Sequence, residues 1–196
     1  MMKKGLLVAV CVFLLVGAVQ DSYSKNRLES WYTYWGIGYT GLSYPSELDQ
    51  VLDLLKDLPG VTHTSLALDV LGFYWPKGER TILGAIVNGW SDRYDVEGSY
   101  VQINGYLYSF SMMYFLNNLI GQGLFVRGDA GFARMVVQGS GLDATSSDWG
   151  YGLLLGGGIG IPISSGTRLL IQVNYSFRKV EGETYGSMQI SLGGLF

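Results

Sequence analysis

The sequence predicts an all-β fold: an eight-stranded antiparallel up-and-down transmembrane β-barrel with a short amphipathic helix in its first long loop. Three observations predict it. Eight segments of strand character follow the N-terminal region, each about as long as the roughly 9 to 11 residues of a tilted membrane-crossing strand. The connections between them alternate between short and long. The chain also holds 29 glycines and 14 tyrosines while only 15% of it is charged, against about 25% in an ordinary soluble domain.

The first element is a leader. Lys3 and Lys4 precede an apolar run from Leu6 to Val19, followed by small residues at Ala18, Ser22 and Ser24, which is the layout of a secretory signal peptide. A run of about 14 residues is short for a spanning helix, which needs roughly 20. Residues 1–24 are therefore assigned to a signal peptide cleaved after Ser24, with Ala18 as the rival site, and 25–196 to one barrel domain. Cys11 lies in the leader, so the mature chain has no cysteine and is no disulfide scaffold. Loss of Lys3, Lys4 and Asp21 leaves 11 basic and 15 acidic residues, a balance that speaks against nucleic acid as a partner.

Strands are expected at 31–43, 62–74, 81–90, 100–114, 123–137, 149–161, 168–178 and 186–196. In the second, Leu66, Leu68 and Val70 oppose Ser65, Ala67 and Asp69. The third and fourth alternate poorly and yield no face. The fifth sets Leu124, Val126, Ala130 and Phe132 against Arg127, Asp129, Gly131 and Ala133. In the sixth, Trp149, Tyr151, Leu153, Leu155, Ile159 and Ile161 oppose glycines. The seventh sets Leu169, Ile171, Val173, Tyr175 and Phe177 against Arg168, Gln172, Asn174, Ser176 and Arg178, with Leu170 on that polar side. The eighth alternates Met188, Ile190, Leu192 and Phe196 with smaller or polar residues, a strand period.

Links 75–80, 115–122 and 162–167 are compact, whereas 44–61, 91–99, 138–148 and 179–185 are longer and hold eleven of the fifteen acidic residues. In the first of the long ones, Ser46 is expected to cap a helix with Asp49 three residues on. Leu48, Val51, Leu52 and Leu55 form its apolar face, and Pro59 and Gly60 end it. Laid across a small barrel, such a helix serves as a lid; a partner-binding helix and an element lying in the outer leaflet are the alternatives.

Alternation alone does not separate a barrel in lipid from a lipocalin-like barrel in water. Composition does. A soluble exterior carries about 25 to 35% charged residues, whereas the polar strand faces here carry mostly Gly, Ser, Gln and Asn, as suits an enclosed lumen. Aromatics point the same way, since rings prefer the boundary of hydrocarbon and water. Trp31, Trp75, Tyr114, Phe115 and Phe196 are expected to form one girdle, and Tyr44, Trp90, Tyr94, Tyr100 and Trp149 the other.

The stretches "LFVRGDAGFAR", "GGGIGIPISSGTRL" and "MQISLGGLF" resemble the family of small bacterial outer-membrane β-barrels that includes the eight-stranded transmembrane domain of outer membrane protein A. The resemblance covers nearly all of the chain after the leader. It implies residence in the cell outer membrane of a Gram-negative-type bacterium, with short turns and both chain ends on the periplasmic side and long loops outside. Outer-membrane lipid and lipopolysaccharide would surround a monomer. The resemblance further implies that Met188, Ile190, Leu192 and Phe196 form the signal read by the barrel-assembly machinery.

Eight strands leave an interior that side chains fill. Asp69, Arg127, Asp129 and Arg168, with Gln172 and Asn174, are expected to face one another there, because buried charges need partners. His63 and Ser65 share a face, and lipid A deacylase barrels use such a pair with a carboxylate. The surrounding motif is absent, so no catalytic residue is assigned. No metal-ligand spacing, phosphate-cradling loop or cofactor motif stands out. The functional expectation is a structural or surface-interaction role through the loops, whose partner carries no known signature. A lipid A-modifying enzyme and a narrow channel are the alternatives from other classes.

Overall fold

The structure, a computed structural model, describes residues 28–116 and 119–196; the expected signal peptide lies outside them. In chain order the elements are β1 (Tyr32–Ser43), α1 (Ser46–Lys56), β2 (Val61–Pro76), β3 (Thr81–Val96), β4 (Ser99–Phe115) and β5 (Gly123–Gly139), then β6 (Leu142–Ser146), β7 (Gly150–Pro162), β8 (Arg168–Val180) and β9 (Glu183–Leu195). Eight long strands form a closed antiparallel barrel, sealed where β1 pairs with β9 from Tyr34↔Leu195 to Ser43↔Gly186. The short β6 pairs only with the end of β5, through Val136↔Ser146 and Val137↔Thr145. One end of the barrel carries both termini of the barrel and the compact links; the far end carries α1 and the hairpins.

Strands β3, β4 and β5 run for 16, 17 and 17 residues, about 50 Å or more at 3.3 Å per residue and well beyond what a bilayer crossing needs. This corrects three expected loops. The stretch 138–148 is mostly strand, the end of β5 followed by β6; 91–99 and 179–185 are mostly strand too, closed by two-residue turns at Glu97-Gly98 (φ 46° and 85°) and Glu181-Gly182 (φ 52° and 86°). Two consecutive residues at positive φ match the twist of the flanking strands, which is why such turns close hairpins. The charges that gave these segments a loop-like character sit on strand that has already left the hydrocarbon, where carrying them costs little.

Outward-facing side chains form an apolar belt. Its middle carries Ile37, Leu68, Phe110, Leu153, Val173 and Ile190, each well exposed. Trp31, Trp75, Tyr114 and Phe196 border it at the terminal end, and Tyr39, Tyr108, Phe132, Trp149, Tyr151 and Tyr175 at the far end. Four of the residues expected in girdles are instead inside: Phe115, Tyr44, Trp90 and Tyr94 are buried. Tyr100 stays outside, beneath the Arg93 guanidinium at 4.2 Å from its ring centre. The cause lies in β3 and β4, whose inner faces carry Ile82, Ile86, Leu107, Met113 and Phe115. Both faces of these strands are apolar, so alternation has nothing to report.

The lumen is stacked in three layers. At the terminal end Tyr32, Tyr34, Tyr74, Ile82, Met113, Phe115, Phe125 and Leu195 form an apolar plug. At the far end Tyr44, Trp90, Tyr94, Ile103, Leu107 and Leu154 form a second one. A polar layer lies between them.

Helix α1 closes over the far plug. Leu52 is buried in it, with Leu48 and Leu55 packed alongside. Val51, expected on that face, is 61% exposed, because the seated stripe is the narrow i, i+4, i+7 set and Val51 falls at its edge, opening on a groove beside Glu47 and Tyr185. Ser46 is not the cap: Pro45 occupies that position and no side chain caps the helix. Acidic Glu47 and Asp49 in the first turn and Lys56 in the last suit the helix dipole instead.

Candidate functional site

Two polar constructions stand out inside the barrel. The first is the middle layer, to which inward positions of successive strands contribute. Arg127 on β5 donates from Nη1 and Nη2 to Asp69 on β2 at 2.8 and 2.9 Å. Its Nε and Nη2 donate to Asp129 at 3.1 and 2.6 Å, and Ser111 also donates to Asp129. Asp69 receives the amide nitrogens of Gln172 at 3.1 Å and Asn88 at 3.0 Å. Arg178 donates from Nη2 to Asn88 Oδ1 at 2.6 Å.

Asn88 therefore couples Arg178 to Asp69. Two aspartates and two arginines make a hydrogen-bonded network of zero net charge, as burial demands. Arg178 is fully buried, and its Nε and Nη1 have no hydrogen-bond partner among the described residues. Its guanidinium instead stands 5.6 Å from the Trp90 ring, a cation–π contact.

Of the residues expected in this layer, Asp69, Arg127, Asp129 and Gln172 come together. Asn174 is buried with neither amide atom bonded among the described residues. Arg168 sits at the terminal end, over the Tyr32 ring at 5.1 Å and donating to Gly166 O at 3.2 Å. Asn88, Arg178 and Gln189, which accepts from Asn88 at 3.3 Å, are the members that sequence reasoning did not bring together. Arg178 shares a face with Gln172 by alternation, but nothing assigned a face to β3 and so to Asn88.

The second construction lies at the mouth, beneath α1. Asp92 on β3 is its hub. One carboxylate oxygen accepts from Ser65 and from His63 Nε2 at 2.6 Å; the other accepts from Tyr44 at 2.7 Å and Tyr94 at 2.9 Å. The Tyr94 ring also stacks on His63 with centroids 4.6 Å apart. The neighbouring outward residues Ser91, Arg93 and Asp95 are polar, which puts this stretch beyond the apolar belt. Burial pushes the Asp92 carboxyl up, but the hydrogen bonds from Ser65, Tyr44, His63 and Tyr94 outweigh it and hold the group below its usual range. Burial, joined by the Asp92 charge, pushes the Tyr44 phenol up, so it remains a donor.

His63, Ser65 and a carboxylate thus do meet, though the carboxylate is Asp92 and not Asp69. Their arrangement differs from a hydrolytic triad. A triad needs the nucleophile on one ring nitrogen and the acid on the other, whereas Ser65 at 3.0 Å and Asp92 both address Nε2. The Ser65 hydroxyl donates to the carboxylate and not to the imidazole. What the cluster does physically is tie Tyr44, at the root of α1, to β2 and β3.

No protein-family model and no curated protein matches the sequence. Solved structures do match. Neisserial surface protein A superposes with a TM-score of 0.57 at 13% identity, covering 85% of this chain and 96% of that one. The attachment invasion locus protein Ail of Yersinia pestis, in complex with the heparin analogue sucrose octasulfate, superposes with a TM-score of 0.50 at 14% identity, covering 86% of this chain and 100% of that one. At such identities the shared property is the fold, that of the small outer-membrane β-barrels.

Proposed function

We propose that this protein resides in the outer membrane as a monomeric, plugged barrel and acts through the wall and lid at its far end, which face the cell exterior. The observation that carries this reading is the filled lumen: two apolar plugs enclose an ion-paired layer, an arrangement suited to holding a shape and ill suited to conducting solute. The apolar belt with aromatic borders supports membrane residence. Lipid and lipopolysaccharide are its surroundings. The fold likeness to a surface protein and to an attachment invasion protein supports a surface role by analogy only.

In this reading the leader is removed and the assembly machinery engages Met188, Ile190, Leu192 and Phe196. All four side chains point outward. Phe196 exchanges backbone hydrogen bonds with Thr33 at 3.0 and 2.9 Å and stacks on Trp35 at 6.2 Å, so the expected signal lies on the strand that closes the barrel. Planar-bilayer recording of the purified protein is expected to show no sustained large conductance; sustained conductance would overturn the plugged reading. Mass spectra of lipid A from cells with and without the protein are expected to be identical; a deacylated species would restore the enzyme.

A further inference from the structure

Helix α1 carries more apolar surface than its seat on the far plug uses. Leu48, Leu52 and Leu55 make that seat. Val51, Leu54 and Leu58 form a second stripe on the flank of the first, at the spacing i, i+3, i+7, and they are 61%, 70% and 54% exposed. Leu58 continues the line just past the helix, its N–H donating to Leu55 O at 3.3 Å. Beside the stripe runs a groove of about 430 Å³, lined by Pro45, Glu47, Leu48 and Val51 on one side and by Glu183 and Tyr185 of β9 on the other. An exposed apolar patch with a polar rim marks an interaction surface.

Lipid does not cover this stripe. On β2 the outward row turns from Leu66 to Thr64 and Thr62, so the belt ends there, and the chain from α1 enters β2 at Val61, about 16 Å farther along the strand. A second copy fits no better. The stretches 44–61, 91–99, 138–148 and 179–185 hold eleven acidic and three basic residues, so two such ends repel each other. Of those cations, Lys56 is paired with Asp53 and Arg93 with Asp95. Glu47, Asp57 and Glu183 have no ion pair among the described residues. Helix formation does not account for all of them. Asp57 stands at the C-terminal end of α1, where the dipole disfavours an acid, and Glu183 belongs to β9.

We propose that the groove along Val51, Leu54 and Leu58 docks a cationic amphipathic helix of a peptide arriving from the medium. The apolar face of that helix, with anchors at i, i+3 or i+4 and i+7, lies on the stripe, and its flanking lysines or arginines meet Glu47, Asp57 and Glu183. The eleven residues of α1 give a seat about 16 Å long, room for three such anchors. The pairing has the form of a two-helix seam, with apolar residues between and opposite charges along the rims. Charge draws the peptide in, and the seam holds it. This inference rests on the reading above of the far end as the exterior face, and deepens it by naming the partner the lid takes.

The test uses the full-length mature protein in nanodiscs of zwitterionic phosphatidylcholine, with binding to empty discs subtracted. The probe is a fluorescent leucine–lysine peptide designed as an amphipathic helix of about five turns, read by anisotropy. Its controls are the same composition in scrambled order and the leucine–glutamate counterpart. Wild type is expected to bind the probe about tenfold or more tighter than either control, and less tightly as salt rises. Val51→Asn/Leu54→Gln is expected to lose about tenfold or more, since burying one large apolar side chain is worth roughly that factor. Glu47→Gln/Glu183→Gln is expected to lose several-fold and to flatten the salt dependence. Glu79→Gln, at the opposite end, is expected to leave binding unchanged. Neither Val51 nor Leu54 is seated on the plug, so amide protection of α1 in the stripe variant is expected to match wild type, which separates a lost surface from a lost lid. Leu58→Gln, outside the helix, gives the same reading without altering a helical residue. Equal binding by wild type and the stripe variants, or no preference over the scrambled or acidic peptide, overturns the proposal. So does sedimentation that finds a dimer dispersed by Val51→Asn/Leu54→Gln, which makes a second copy the occupant. A detergent-dependent, heat-modifiable barrel with no such preference sinks this inference alone, whereas a protein soluble without detergent sinks the membrane reading as well.

Discussion

Arg127 grips Asp69 through two parallel hydrogen bonds of 2.8 and 2.9 Å across the lumen, joining β5 to β2 far from any shared ladder. Removing one member of a buried ion pair leaves the other charge uncompensated, a loss of about 3–5 kcal/mol. Arg127→Met is therefore expected to lower the urea midpoint of the refolded barrel strongly. Because Arg178 balances the second carboxylate through Asn88, Arg127→Met/Asp129→Asn restores neutrality and is expected to be less damaging than Arg127→Met alone. Equal midpoints for the single and double variants would refute the four-charge balance.

The mouth cluster makes the lid acid-sensitive. A carboxyl whose folded value is depressed stabilises the fold above its unfolded value of about 3.9 and ceases to do so as pH falls through the folded value. Asp92 is such a group. Protection of the α1 amides, taken relative to the unstructured exchange rate at each pH, is expected to be high and constant from neutrality down to about pH 4 and to fall on further acidification. Asp92→Asn is expected to show fast exchange at neutrality as well.

Tyr44 offers a gentler perturbation of the same tether. Tyr44→Phe keeps the ring against Trp90 and Tyr185 and removes only the hydroxyl donated to Asp92. A hydrogen bond to a charged group contributes about 1.5–3 kcal/mol. Exchange protection in α1 should fall by about tenfold or more while the rest of the barrel keeps its rates. Uniform loss across the barrel would show that the contact holds the whole fold and not the lid.

The hairpin tips give a prediction with the opposite sign. Glu97 and Glu181 hold positive φ, a conformation asparagine tolerates better in this turn type. Glu97→Asn is expected to stabilise by about 0.5–1 kcal/mol, read as a raised unfolding midpoint; Glu181→Asn gains less, because it gives up the bond that the Glu181 carboxylate accepts from the Asp148 amide. Gly98→Val, which forces a β-branched residue to positive φ, is expected to lower it.

How much of this was legible in the sequence varied with the strand. In β7 and β8 one face is nearly pure glycine or polar residues, so their orientation and that of Gln172 and Arg178 follow from period alone. In β3 and β4 the inner row carries isoleucine, leucine and methionine because the plugs are apolar, and hydrophobicity no longer marks the outside. That ambiguity hid Asn88 and put Trp90 in a girdle when it fills the mouth. Asp92 was missed for another reason: a charged stretch past the bilayer was taken for loop, and a residue in a loop has no face. The helix stripe was readable, but the exact azimuth that seats Leu52 and releases Val51 depends on the rim below it.

The overlong strands have a consequence for whatever approaches from the medium. It meets a stiff parapet of paired backbone, with loose chain confined to small tips, so exchanging tip residues alters the silhouette very little. Novel recognition has to be written in side chains along the rampart itself, where every second position is free to vary without disturbing the one behind it.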